Sequence, residues 1–336
     1  MIERRALGRS GLELSVIGLG TWAFGGRWGG AEDADSAAAV HAAIDAGVNW
    51  IDTADIYGQG RAERIVGRVV RERGDEVLVA TKGGVAWEQT ADGLRIWREA
   101  RGDYLRMACE RSLRALGLDH IDLYQVHWPV PGVEAAETME ALLDLQRRGL
   151  VRALGVSNYA RADLEAAAAV GRFESYQPGY HMMRREVEAA ELPWCAEHGV
   201  GVIAYGPLAH GLFTGRMDET TRFPENDWRS VSEFFTDEAY PHRVAATVEL
   251  AALAERAGRP GGLAELAVMW VLRRPEVTAA IIGARNAAQA RANAALAGRP
   301  LSADEIDEIE RILAAHPGLD RPYGHGEPPA APTADR

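Results

Sequence analysis

Residues 16–26 read VIGLGTWAFGG, and two folds compete for them. Gly18, Gly20 and Ala23 satisfy the G-x-G-x-x-G/A spacing of a dinucleotide-binding turn after an apolar, strand-like run. In a doubly wound sheet the third small residue opens a helix whose N-terminus holds the pyrophosphate. Here Phe24-Gly25-Gly26-Arg27-Trp28-Gly29-Gly30 follows, in which no helix can start. Nor does an acidic residue close a second strand about 20 positions on, where a ribose contact would need it. The glycines therefore read as a wide loop at the mouth of a barrel.

Working outward, short apolar runs alternate with longer helical patterns. The runs are Val16 to Leu19, Val48 to Ile51, Val77 to Ala80, Ile121 to Val126, Val151 to Val156, Ser175 to Gln177, Val200 to Ala204 and Ala279 to Ile282. Helical stretches follow or separate them at Ser36 to Ala46, Ala62 to Glu72, Tyr104 to Leu116, Ala135 to Arg147, Ala162 to Val170, Glu186 to Glu197, Val244 to Ala257 and Ala287 to Ala297. Eight strand-plus-helix units without a domain-sized composition break predict a single (β/α)8 TIM barrel over residues 1–323. Arg4 to Leu14 reads as an N-terminal hairpin at the barrel floor. The tail, residues 324–336, with three prolines and few apolar residues, reads as disordered.

Composition narrows the function. A formal charge of -12 leaves no basic stripe for nucleic acid or an anionic membrane, no apolar run is long enough to span a bilayer, and the N-terminal MIERRALGRSG has no apolar segment of a signal peptide. A cytoplasmic protein is expected, as a monomer or weak homo-oligomer acting on a small molecule. Cys109 and Cys195 lack any metal or redox spacing and read as core or surface thiols, so no metal is expected. Of 37 basic residues 36 are arginine; the exception is Lys82, directly after the apolar strand Val77-Leu78-Val79-Ala80. Lysine is a compact ammonium that fits a slot too narrow for the planar arginine fork.

Barrel enzymes keep their chemistry at the C-terminal ends of the strands. There the chain places Asp52 and Tyr57 (WIDTADIYGQG), Lys82 (VATKGG), His127 (YQVHWP), Ser157 and Asn158 (GVSN), Gln177, and Tyr205 (VIAYGPL). Singly, each has an ordinary explanation: a loop cap, a rim aromatic, a satisfied histidine before Pro129. Together they bring a carboxylate, a phenol, an ammonium and an imidazole to one end of neighbouring strands.

In this combination the chain resembles the aldo-keto reductase superfamily from Leu7-Gly8 to Asn293, and most resembles its bacterial inositol-linked and general-stress reductases, partly through the loop Thr221-Arg222-Phe223-Pro224-Glu225-Asn226-Asp227. The resemblance implies a (β/α)8 barrel that binds NADP(H) across its C-terminal face and reduces an aldehyde or ketone, with the catalytic tetrad on Asp52, Tyr57, Lys82 and His127. A free phenol, pKa about 10, is a sluggish acid. An ammonium about 4 Å away is worth roughly 4 kcal/mol at an effective dielectric near 20, so Lys82 is expected to acidify Tyr57, with Asp52 orienting Lys82 and His127 donating to the same carbonyl oxygen. A competing assignment makes His127 the acid.

The cofactor expectations also follow the resemblance. Gly283, Arg285, Gln289 and Asn293 fall where the family binds the adenosine 2'-phosphate and adenine, and Arg285 can pair bidentately with a phosphate. Ser157, Asn158 and Gln177 would hold the carboxamide, Tyr205 would stack on the nicotinamide, and Gly206, Leu208 and Gly211 would line the pyrophosphate path, with Trp22 and Asp52 also against the cofactor. Gly206 stands where many relatives have serine, and His181 where this branch often has asparagine. Trp22, Trp28, Trp87, Trp97 and Trp128 sit on or near the first four mouth loops and suggest an aromatic pocket; Trp87 and Trp128 join Tyr57 and His127 as expected substrate contacts. A different class stays open, since the potassium-channel β subunits of the same superfamily bind NADP(H) but act chiefly as regulatory partners. The sequence shows no extra N-terminal segment, which favours the enzyme.

Overall fold

The computed structural model describes residues 2–26, 32–74 and 77–321; Trp28 and the tail 324–336 lie outside them. In chain order the strands are β1 (Arg4–Ala6), β2 (Glu13–Ser15), β3 (Ile17–Gly20), β4 (Trp50–Asp52), β5 (Leu78–Gly83), β6 (Val85–Thr90), β7 (Gly93–Arg98), β8 (Ile121–Val126), β9 (Val151–Ser157), β10 (Ser175–Gln177), β11 (Gly201–Tyr205) and β12 (Val277–Gly283). The helices are α1 (Asp33–Asp45), α2 (Arg61–Arg73), α3 (Gly102–Leu116), α4 (Ala135–Arg147), α5 (Arg161–Val170), α6 (Glu191–His198), α7 (Glu233–Thr236), α8 (Tyr240–Arg256), α9 (Gly262–Leu272), α10 (Ala287–Ala294) and α11 (Ala303–Ala315). Eight strands close a parallel barrel in the order β3-β4-β5-β8-β9-β10-β11-β12, and they are the eight apolar runs read from the sequence.

The barrel interior explains the opening glycines. Side chains alternate across a strand, so Gly18 and Gly20 face inward while Ile17 and Leu19 join the layer between barrel and helices. A Cβ at Gly18 would lie 2.2 Å from the Trp50 indole, and one at Gly20 would lie 2.8 Å from Ile281 Cγ2. Both glycines make room for barrel filling. Trp50, whose Nε1 donates to Ser15 O at 2.9 Å, packs with Ala80, Leu123, Ala153, Ile203, Ala279 and Ile281. From below, Leu7, Leu12 and Leu14 of the β1–β2 hairpin join the same cluster, so the expected floor hairpin is present.

The same alternation carries the chain from floor to site. Two residues beyond Trp50 stands Asp52, and two beyond Ala80 stands Lys82, so the inward face changes from apolar to ionic within one step of each strand.

The fold differs from the sequence reading in three ways. The expected helix Glu186 to Glu197 is a 3-10 turn at Glu186–Glu188 and then α6, because Pro193 has no N–H to donate and is tolerated only in a first turn. A second hairpin, β6–β7, fills the loop after β5, and its strands pair only with each other. Helices α9 and α11 complete the wall. In α9 nine residues are buried, so no polar stripe marks it as a helix.

An ion network docks α11. Arg259, fully buried, donates to Glu305 at 2.9 Å and to Glu265 at 3.0 Å, and Arg299 donates to Glu305 as well. Burial pushes the Glu305 carboxyl up, but the hydrogen bonds from Arg299, Arg259 and the Ser302 backbone outweigh it and hold the group at about 2. A depressed folded pKa stabilises the ionised form, so this contribution is complete above the unfolded value near 4.5 and is lost as pH falls toward 2. Glu305→Gln is expected to cost about 3 kcal/mol at pH 7, read as a lower urea midpoint with unchanged slope. An unchanged midpoint would remove the network from the account of stability.

Candidate active site

Asp52 closes β4 and Lys82 stands next to last in β5, and their strands are adjacent. Lys82 Nζ donates to Asp52 Oδ1 at 2.6 Å and to Thr53 O at 2.9 Å, and Gln177 Nε2 donates to Asp52 Oδ2 at 2.8 Å. Lys82 is 1% exposed, so the lone lysine is buried and paired. Its Nζ lies 5.2 Å from the centroid of the Tyr57 ring, and Tyr57 meets His127 edge to face at 5.9 Å. All four residues converge, with Tyr57 and His127 half-buried above a buried ion pair.

The electrostatics correct one expectation. Burial, then the charge of Asp52, the phenol of Tyr205 and the charge of Asp55 push the Tyr57 hydroxyl well above the ordinary phenol range, rather than below it. Burial is the leading reason, and the carboxylate that orients Lys82, 2.6 Å from its ammonium, adds to it by offsetting the field expected to act on Tyr57. Burial also pushes Asp52 up, opposed by Lys82 and by the hydrogen bonds from Lys82 and Gln177. Burial, helped by the charge of Lys82, holds His127 well below the usual histidine range, so its ring is neutral at pH 7. The site thus holds a protonated phenol beside a neutral imidazole.

The neighbouring strand ends form a second layer. Ser157 Oγ donates to Gln177 O at 2.7 Å, Asn158 Nδ2 donates to His127 O at 3.0 Å, and Tyr205 Oη donates to Asn158 Oδ1 at 2.8 Å. Asn158 has φ of +60°, and the other non-glycine residues with positive φ among those described, Gln59, Ala209 and His210, also lie on mouth loops. Such backbone clusters at functional sites. Leu208, Gly206 and Gly211 form the turn after β11, with φ of +73° at Gly206 and +101° at Gly211. His181 is a core residue: Met183 N donates to its Nδ1 at 3.2 Å, and it lies between Phe213 and Phe234.

At the end of β12, a Cβ on Gly283 would meet nothing nearer than Gly20 O at 3.8 Å. Internal packing therefore does not require glycine there, and the open space lies next to Arg285. Gln289 Oε1 accepts from Arg285 N at 2.8 Å, and Asn293 Nδ2 donates to Gly283 O at 2.9 Å. Both side chains lock the turn that presents Arg285. Two open-faced glycine turns, an arginine and the start of α10 make a cradle that fits an anionic, extended cofactor.

Of the expected aromatic pocket, Trp22 packs on Trp228 at 5.2 Å, Trp128 is buried, and Trp87 lies under the guanidinium of Arg111 at 3.8 Å. Sequence reasoning missed Trp228, one residue past the quoted loop, and His210, which meets it edge-on at 4.7 Å. It also missed Asp55 and Arg111. Asp55 stood inside the quoted WIDTADIYGQG, whereas Arg111 carried no signal among 36 arginines. Among the described residues, none of the His, Cys, Asp and Glu groups could hold a metal ion, and no helix is long and apolar enough to cross a membrane.

The closed barrel and the residues at its mouth are those of an oxidoreductase fold. The sequence signature of the Aldo/keto reductase family matches residues 16–314, and the chain belongs to that family. It is 36% identical over 316 residues to the aldo-keto reductase YhdN of Bacillus subtilis, covering 93% of this chain and 94% of that one. It is 30% identical to the NADH-specific methylglyoxal reductase of Escherichia coli, over 88% of this chain and 93% of that one. Among solved structures, the glycerol dehydrogenase AKR11B4 from Gluconobacter oxydans superposes with a TM-score of 0.86 at 36% identity, over 95% of this chain and 96% of that one.

Proposed function

We propose that this chain reduces an aldehyde or ketone to the alcohol with NADP(H), using Tyr57 as general acid. The observation that carries the reading is the buried Lys82–Asp52 pair set beneath Tyr57 and His127. Bound NADPH would supply the hydride for the carbonyl carbon. As negative charge develops on the carbonyl oxygen it becomes an alkoxide, a stronger base than a phenolate, so even a phenol with a raised pKa gives up its proton at that moment. His127, uncharged, donates a hydrogen bond to the same oxygen. Lys82, oriented by Asp52, compensates the charge left on the phenol between turnovers, and Gln177 fixes Asp52 in turn.

Arg285, Gly283, Gln289 and Asn293 would hold the adenosine end, with Arg285 on the 2'-phosphate. Ser157, Asn158 and Gln177 would hold the carboxamide, Tyr205 the ring face, and Gly206, Leu208 and Gly211 the pyrophosphate. That one relative is described as NADH-specific makes the choice of cofactor the first thing to measure. Following absorbance of NADPH and of NADH over a carbonyl panel tests the proposal, and consumption of neither with any carbonyl would refute it.

The phosphate assignment has its own test. Arg285→Ala is expected to weaken NADPH by about 1.5–3 kcal/mol, the scale of a lost charged hydrogen bond, and to leave NADH nearly unchanged. Titration of both cofactors by tryptophan fluorescence reads this directly. Equal losses for the two would move the phosphate elsewhere.

A further inference from the structure

Behind the loop that carries Tyr57 lies a second polar layer. Asp55, two residues before Tyr57, is fully buried, and its Oδ2 accepts from Arg111 Nη2 of α3 at 2.8 Å. Its Oδ1 is also buried and has no hydrogen-bond partner among the described residues. Burial, and after it the carboxyl of Glu63 on α2, which accepts from Thr81 Oγ1 at 2.7 Å, pushes the Asp55 carboxyl up to about 8 even with Arg111 beside it. Arg111 is thus the hydrogen-bond partner that keeps the buried Asp55 carboxyl in place beside the active-site loop.

The other contacts of Arg111 lead to the β6–β7 hairpin. Its guanidinium carbon lies 3.8 Å from the centroid of the Trp87 ring. Its Nη2 also donates to Tyr104 Oη at 3.2 Å, and that hydroxyl donates to Val85 O at 2.9 Å. Val85 and Trp87 both belong to β6, whose hairpin is not part of the barrel sheet. Side-chain contacts of this kind must therefore seat the hairpin. One guanidinium touches the Tyr57 loop, α3 and the hairpin at once.

The geometry points to Arg111 as a positioning residue for carbonyl reduction: anchored on Asp55, it sets Trp87 as the aromatic wall of the substrate pocket at a fixed distance from the loop that carries Tyr57. This rests on the reductase reading above and adds a determinant of substrate class, since a flat wall held in place favours carbonyls attached to a ring over small aliphatic ones. Residue identity alone says nothing here, because 36 of 37 basic residues are arginine. The arrangement does, because a planar fork can hydrogen-bond Asp55 and Tyr104 through its N–H groups while its face covers Trp87, which a lysine ammonium cannot.

Benzaldehyde and propanal, each with NADPH and with NADH, are the probes. In Arg111→Lys, which keeps a cation near Asp55 but loses the flat face, kcat/KM for benzaldehyde relative to propanal is expected to fall about tenfold, with the change carried in KM. The paired variant Asp55→Asn/Arg111→Gln removes the acid and its cationic partner together and guards against a fold defect in the first; it is expected to show the same split, with thermal unfolding recorded for each. Equal losses on the two probes, as a purely structural staple would give, or an unchanged ratio, would overturn this inference and leave the reductase reading standing. A wild-type enzyme that turns over neither probe nor any other carbonyl would overturn both.

Discussion

Tyr57→Phe will bind the nicotinamide cofactor as the wild type does and turn over roughly three orders of magnitude more slowly, the scale of a lost general acid. The substitution removes one hydroxyl and keeps the ring that meets His127 edge-on at 5.9 Å, so the pocket shape stays. Because burial and the surrounding Asp52, Tyr205 and Asp55 hold the Tyr57 proton far above neutrality, the phenol is a proton carrier at every working pH. Its deletion therefore lowers kcat at pH 6 and pH 8 alike. Single-turnover kinetics with saturating NADPH and a reducible aldehyde measures the chemical step without interference from product release. If the variant keeps more than about a tenth of kcat, well above the loss expected for a general acid, the role passes to His127 or to water.

The second large effect falls on Lys82, which is buried 2.6 Å from Asp52. Lys82→Met leaves that carboxylate without its counter-charge, which costs about 3–5 kcal/mol, and turnover is expected to fall by roughly a hundredfold or more. Adding Asp52→Asn should restore most of the stability and none of the turnover, which separates the electrostatic burden on the fold from the catalytic role. Lys82→Arg should fail as well, because the broader fork cannot occupy a slot shaped for an ammonium that also donates to Thr53 O at 2.9 Å. Since the sequence contains one lysine, an amine reagent meets only this side chain and the N-terminal amine, which can be blocked first near neutral pH. Reductive methylation of Lys82 should then be slow, slower still with saturating NADPH, and should track loss of activity. Fast labelling indifferent to cofactor would contradict the buried pair.

The sequence alone determined the eight barrel strands, the floor hairpin and the convergence of Asp52, Tyr57, Lys82 and His127. These are local properties: a strand is an apolar run of a few residues, and in a parallel barrel every strand ends at the same face, so residues just past the runs must meet. Tertiary structure decided everything that depends on what stands opposite. Gly18 and Gly20 fit a phosphate turn by spacing, and only the Trp50 indole and Ile281 across the barrel give their reason. The β6–β7 hairpin is seated by Arg111, an arginine like any other until Asp55 and Trp87 are beside it. The direction of the Tyr57 shift was the hardest to foresee. Counting one nearby cation gives the wrong sign, because a buried pKa is a sum over desolvation and every charge that faces the group, and here burial comes first, followed by Asp52 at the end of β4, Tyr205 at the end of β11 and Asp55 just after β4.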